Sequence, residues 1–146
     1  MTAARRPAPQ QSLYDKPYWH YAAEGELRLQ RCAGCGEFRY PPAPVCPECL
    51  DSEHAWEPLS GRGSLLSWTV FHRQYFPEIP VPYVVVVVRT SEGPLLVGNL
   101  VGASVRDLRH DMPLRAVHED VSTPAGPRRL CQWTPEPHPS HDEEHA

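Results

Sequence analysis

Cys32-Ala33-Gly34-Cys35-Gly36, with ten residues between Cys35 and the second pair Cys46-Pro47-Glu48-Cys49, is the stretch that decides the fold of this chain. Two Cys-x-x-Cys pairs on facing turns place four thiolates at the corners of a tetrahedron. Sulfur-only tetrahedral ligation suits zinc, with iron in a rubredoxin-like site as the competing occupant. Gly36 fits the turn after a ligating cysteine, which needs positive φ and amides aimed at sulfur. Leu50 follows Cys49 at the equivalent place, so the second turn is expected to be less regular. Disulfides or buried free thiols are the weaker alternative, because paired pairs at this spacing are a strong metal signal. A catalytic zinc keeps one position open for water. Here Cys32, Cys35, Cys46 and Cys49 close the shell, so the ion is read as structural zinc; iron would imply one-electron transfer. The short segment from Leu27 to Trp56 has little apolar surface to bury, and the metal supplies much of its folding free energy.

Working outward, 146 residues make one ordinary domain or two small ones sharing a core. Proline occurs 18 times, more than twice the usual share, which disfavours long helices and points to short strands and turns. A net charge of −4 gives no long-range attraction to polyanions. Arg5 and Arg6 are followed by no apolar run, so no signal peptide or anchor is expected there. The longest apolar run, near Val84 to Val88, is too short to span a bilayer. With metal-type cysteines, this indicates a reducing cytoplasm.

The chain divides into a flexible arm (1–13), an aromatic N-terminal helix (14–26), a zinc ribbon (27–59), a five-stranded barrel (60–134) and a disordered tail (135–146). Asp15 is placed to cap the helix, with Pro17 in its first turn and Gly25 just beyond its end. The ribbon alternates strand and knuckle: Leu27 to Leu29, the first cysteine pair, Phe38 to Tyr40, the second pair, then Ala55 and Trp56. Gly61-Arg62-Gly63 opens the second module. Its strands are expected at Ser64 to Phe71, Tyr83 to Thr90, Leu95 to Val101, Leu114 to Glu119 and Arg128 to Trp133, with one helical turn within Ser104 to His110. Five short strands with a Gly-rich first strand suit a closed barrel of OB type. The fold class is thus mainly β. Continuous valines from Val84 to Val88 need burial on both faces, and the barrel interior supplies only one. Something else must cover the other.

This order of modules resembles the DUF35 family. The resemblance is carried by Pro17-Tyr18-Trp19, Leu29-Gln30-Arg31-Cys32 through Cys35-Gly36, and Tyr40-Pro41-Pro42 before the second cysteine pair. Gly61-Arg62-Gly63, Ser67-Trp68-Thr69-Val70, Val81-Pro82-Tyr83, Asn99-Leu100-Val101-Gly102 and Glu119-Asp120 complete it, and Leu50 departs from the glycine common there. It implies a rubredoxin-like zinc ribbon followed by an OB fold. It also implies a non-catalytic accessory subunit that associates with a thiolase-fold or hydratase-fold enzyme and helps position an acyl-CoA thioester.

A CoA site needs cations for phosphates beside apolar walls. Arg62, His72 and Arg73, with Arg89, are the candidates, although surface arginines are usually only solvated. No nucleophile with an adjacent base is recognisable. Cys131 reads as a buried small hydrophobe, and His138, His141 and His145 as part of a solvated tail. The competing function is a single-stranded nucleic-acid module, since zinc ribbons and OB barrels both bind single strands. The acidic balance and the lack of a basic strand weigh against it. An autonomous acyl-CoA enzyme is a further alternative.

Overall fold

Alternation of leucine with polar residues after Glu26 produces a strand whose Leu29 is fully buried. The computed structural model describes residues 3–137, and this strand, β2 (Arg28–Cys32), is the centre of its smaller sheet. It pairs antiparallel with β3 (Phe38–Arg39) on one side and β4 (His54–Pro58) on the other. Ahead of it, α1 (Lys16–Ala23) starts with Pro17 in its first turn, and Gly25 lies beyond its end at φ +80°. Asp15 occupies the cap position without capping: its helical φ and ψ turn the carboxylate backward, where it accepts from the Ser12 amide at 2.6 Å. Ala22 and Tyr18 turn the helix onto the core, and α1 packs between β2 and the last strand of the barrel.

β-Branched residues dominate the larger sheet. Its strands are β5 (Arg62–Phe71), β6 (Tyr83–Thr90), β7 (Leu95–Asn99), β8 (Pro113–Thr123) and β9 (Gly126–Pro135). Antiparallel pairs join β5 to β6, β6 to β7, β8 to β9 and the start of β5 to the start of β8. A parallel bridge between Leu100 and Trp133 closes the ring, and the Val101 amide donates to the Trp133 carbonyl at 2.9 Å. The closed order β5-β6-β7-β9-β8 is the five-stranded OB barrel. Gln132 staples that seam: its side-chain oxygen accepts from the Asn99 amide at 2.7 Å, and Asn99 Nδ2 donates to the Val84 carbonyl at 3.2 Å. Gly63 has to be glycine, because a Cβ there would lie 2.6 Å from the Arg89 carbonyl oxygen. The connection from β7 to β8 carries a single 3-10 turn, Val105–Asp107, capped by Ser104. Ribbon and barrel share one core, in which Leu27, Leu29 and Leu59 meet Leu65, Val86, Val88, Leu114 and Trp133.

The segment expected as a free arm instead supplies β1 (Ala4–Arg5), parallel to β8 at Val121 and Ser122. The physical reason lies in β8. It meets β5 only through Pro113 to Arg115, so beyond the barrel one of its edges is open, and an open edge accepts a strand. Arg6 adds its amide to the Ser122 carbonyl at 2.9 Å and an ion pair to Glu119 at 3.6 Å. The β8–β9 hairpin is also longer than expected, running from Pro113 to Pro135. Asp120 to Thr123 and Gly126 to Pro127, outside the expected strands, lie in ones that project past the barrel. Of the expected tail, Pro135 ends β9 and the Glu136 amide donates to the Pro113 carbonyl at 3.0 Å. His138, His141 and His145 lie outside the described residues.

Candidate metal centre

Each knuckle begins on a strand or loop end and folds back by the same two hydrogen bonds. The Gly36 amide donates to the Cys32 carbonyl at 3.0 Å, and the Leu50 amide to the Cys46 carbonyl at 2.9 Å. The Cys32 amide then donates to Glu37 O at 2.8 Å, and the Cys46 amide to Asp51 O at 2.9 Å. Gly36 has φ +79° and Leu50 φ +65°. The second turn is therefore as regular as the first, contrary to the expectation from its leucine. Leu50 takes the left-handed conformation itself, at a cost of about 1–2 kcal/mol against glycine.

The four sulfurs lie within 4.8 Å of one another, with Cys32 to Cys49 at 3.5 Å and Cys35 to Cys46 at 3.6 Å. Zinc–sulfur bonds of about 2.3 Å in a tetrahedron put sulfurs about 3.8 Å apart. The cluster fits such an ion. Each pair offers one buried cysteine, Cys32 or Cys46, and one exposed, Cys35 or Cys49. The backbone amides of Cys35 and Gly34 reach Cys32, and the Cys35 amide is the main cause holding its thiol down to about 6. The Glu37 amide likewise favours the Cys35 thiolate, but desolvation and the crowded thiols of Cys46, Cys49 and Cys32 push that group up to about 12. Four thiols this close cannot all ionise without a cation among them.

Beneath the knuckles is a polar layer that sequence reasoning missed. Gln30 and Arg39, opposite one another on β2 and β3, are each 1% exposed. Gln30 accepts from the Ala43 amide at 2.8 Å and donates to His54 Nε2 at 3.2 Å. The Arg39 guanidinium donates to the carbonyls of Ala43 at 3.2 Å, Asp51 at 3.1 Å and Glu53 at 3.3 Å. Its place in the alternation against buried Gln30 was the available signal.

The other candidates are not brought together. Arg62 pairs with Glu136 at 3.5 Å at the start of β5, and Arg89 lies near that end, opposite Ser64 and Leu95. His72 and Arg73 follow the far end of β5, about 30 Å along the strand. Arg73 stacks over the Tyr75 ring at 5.2 Å. A cavity of about 700 Å³ opens elsewhere, where Arg5 and Arg6 face Ile79, Tyr83, Asn99 and Leu100. Cys131 packs against the joint core, and burial pushes its thiol up to about 12, so it is an inert small hydrophobe.

The outer face of the barrel at β6 and β7 is partly apolar, with half-buried Val85 and Val87 among Ser67, Thr69, Arg89 and Asn99. Val86 and Val88 point inward and are fully buried, whereas Val85, Val87 and Val97 share the outer side. Val97 is 56% exposed and Leu95 43%, and the loop after β5 adds Tyr75 at 58% and Phe76 at 49%. The aromatic helix does not cover this face, because it packs on β2 and β9.

The family descriptions matching this chain are the rubredoxin-like zinc ribbon domain of ChsH2 over residues 19–55 and the C-terminal OB-fold domain of ChsH2 over residues 56–119. One chain of a solved structure described as "Ltp2-ChsH2(DUF35) aldolase" superposes with a TM-score of 0.79 at 30% identity, over 88% of this chain and 98% of that one. The chain belongs to the DUF35 family. A probable enoyl-CoA hydratase alpha subunit of Thermomonospora curvata is 38% identical over 76% of this chain, which spans only 35% of that protein's length. A DUF35 domain-containing scaffold protein of Methanocaldococcus jannaschii is 30% identical over 62% of this chain and 66% of its own length. As a DUF35 protein, the chain is a zinc ribbon joined to an OB fold, and its kin carry the names of a CoA hydratase alpha subunit and of DUF35 domain-containing scaffold proteins. Among the described residues no helix is long and apolar enough to cross a membrane.

Proposed function

We propose that this DUF35 protein is a non-catalytic accessory subunit of an acyl-CoA-processing enzyme. It docks on a thiolase-fold or hydratase-fold partner and helps to position the CoA thioester, with a structural zinc held by Cys32, Cys35, Cys46 and Cys49. The observation that carries this reading is the exposure of Leu95 and Val97 on β7 and of Tyr75 and Phe76 in the loop after β5, with Phe71 packed between Tyr75 and Tyr83. A contiguous apolar surface with exposed tyrosine is what a partner buries. The hydratase and aldolase names of its relatives indicate the class of partner. Arg5 beside Tyr83 and Leu100 offers a cation next to apolar walls, as a CoA ester requires, in a cavity that Glu78 also lines and where Arg6 is paired with Glu119. The zinc ribbon is taken as residues 27–59 and the barrel as 60–134. Metal-type cysteines favour a reducing location, the cytoplasm.

The test is affinity capture of the tagged protein from its native host, with partners identified by mass spectrometry. Stoichiometric recovery of a thiolase-fold or hydratase-fold protein is expected, and its loss on Val97→Glu. Recovery of the chain alone contradicts the proposal. Single-stranded nucleic acid is the second reading, favoured by Arg73 stacked on Tyr75 in the loop between the first two barrel strands, a usual OB platform. Its cations are dispersed, and it predicts an oligonucleotide affinity that falls steeply with salt.

A further inference from the structure

Among the described residues, Arg39 is a buried cation that forms no ion pair. Its side chain is 1% exposed, and its donors reach only main-chain carbonyls. Among the described residues the ion pairs involve Arg6, His20, Arg28, Arg31, Arg62 and Arg129, never Arg39. Among the described residues its Nε is buried with no hydrogen-bond partner. Removing a guanidinium from water without a nearby anion is strongly unfavourable. A fold that keeps one there has an anion in mind.

The carbonyls that hold the guanidinium locate that anion. Asp51 O accepts from Arg39 and also from the Cys46 amide, so one atom joins the cation to the second knuckle. Glu53 O accepts from Arg39 and also from the amide of Ala33, the residue after Cys32 in the first knuckle. The Asp51 amide in turn reaches the Cys49 sulfur. The guanidinium thus sits behind both knuckles, one hydrogen-bonded atom removed from each. Four thiolates around one divalent ion carry a formal charge of −2, and charges of opposite sign attract more strongly out of water than in it.

We propose that Arg39 is the internal counter-ion of the metal–tetrathiolate centre, a positioning residue whose positive charge sets how tightly the ion is held. The inference rests on the structural-zinc reading above. It differs from a purely structural role, in which Arg39 would serve only to tie three carbonyls together. Charge and hydrogen-bonding geometry separate in three substitutions. Arg39→Lys keeps the charge and loses the planar fork, Arg39→Gln keeps amide donors without charge, and Arg39→Met fills the space with neither.

Zinc affinity of the full-length chain is measured for each variant by competition with a chromophoric chelator. Arg39→Lys is expected to stay within about threefold of the parent, because the charge is retained. Arg39→Gln and Arg39→Met are each expected to weaken zinc by about tenfold or more. Equal weakening in Lys, Gln and Met overturns the proposal, as does a Met variant that binds zinc like the parent. A native protein purified with no metal overturns the zinc reading itself, so the two failures are distinguishable.

Discussion

The ribbon and the barrel sit on one core but are held by different forces. In the barrel, Leu65, Val86, Val88, Leu114 and Trp133 are buried almost completely, and each such side chain contributes about 1.5–3 kcal/mol. The ribbon lends Leu27 and Leu29 to that core and keeps little apolar surface for itself. Beneath its knuckles the buried residues are Gln30 and Arg39, both polar. A structural zinc contributes about 10–16 kcal/mol of apparent binding free energy, comparable to several core side chains together. The contrast teaches that one ion replaces an apolar interior, and that the polar layer under it is shaped to the ion's charge.

Substitutions break that contrast in a definite order. The largest effect is expected from Cys32→Ser or Cys49→Ser. Zinc is lost, and hydrogen exchange should show β2 to β4 deprotected while β5 and β6 stay protected, with partner binding abolished. A serine variant that still assembles contradicts the structural role of the metal. Trp133→Ala strikes the other region and should cost about 3–5 kcal/mol in denaturant unfolding, without changing the zinc content.

Smaller changes sharpen the comparison. Leu50→Gly relieves a left-handed leucine and should stabilise the zinc-bound protein by about 1 kcal/mol, seen as slower loss of zinc to a chelator. An unchanged rate would mean that the turn is strained nowhere. The smallest effect concerns His118, on β8 opposite Cys131. Burial, then Arg129, holds its imidazole below the usual 6.5, and its Nε2 is buried without a partner. The unfolded chain therefore takes up the proton first. Stability should decline as pH falls from about 6.5 towards the depressed value, and His118→Gln should flatten that part of the profile.

Legibility in the sequence followed the range of the physics. Cysteine spacing is local, so the ribbon and its four sulfurs could be read directly, with zinc favoured over iron. Valine runs and glycine breaks gave the barrel strands within a few residues. The pairing of Ala4 and Arg5 was hidden because it depends on an open edge of β8, more than a hundred residues away. Arg39 was hidden because arginine is ordinarily a surface residue, and only its register with Gln30 places it inside. Arg62, His72 and Arg73 were grouped as one ligand set, although a strand's length separates the first from the other two. The double-sided valine strand did carry information: its inward valines are fully buried, while its outward ones stay half-buried beside exposed Val97.

The most direct test is a turnover assay with the purified partner, the purified chain and their mixture, against a panel of acyl-CoA thioesters. The accessory-subunit account predicts no turnover by this chain alone, turnover with the partner present, and a reduced rate when Val97→Glu replaces the parent chain. Turnover by the isolated chain would contradict it.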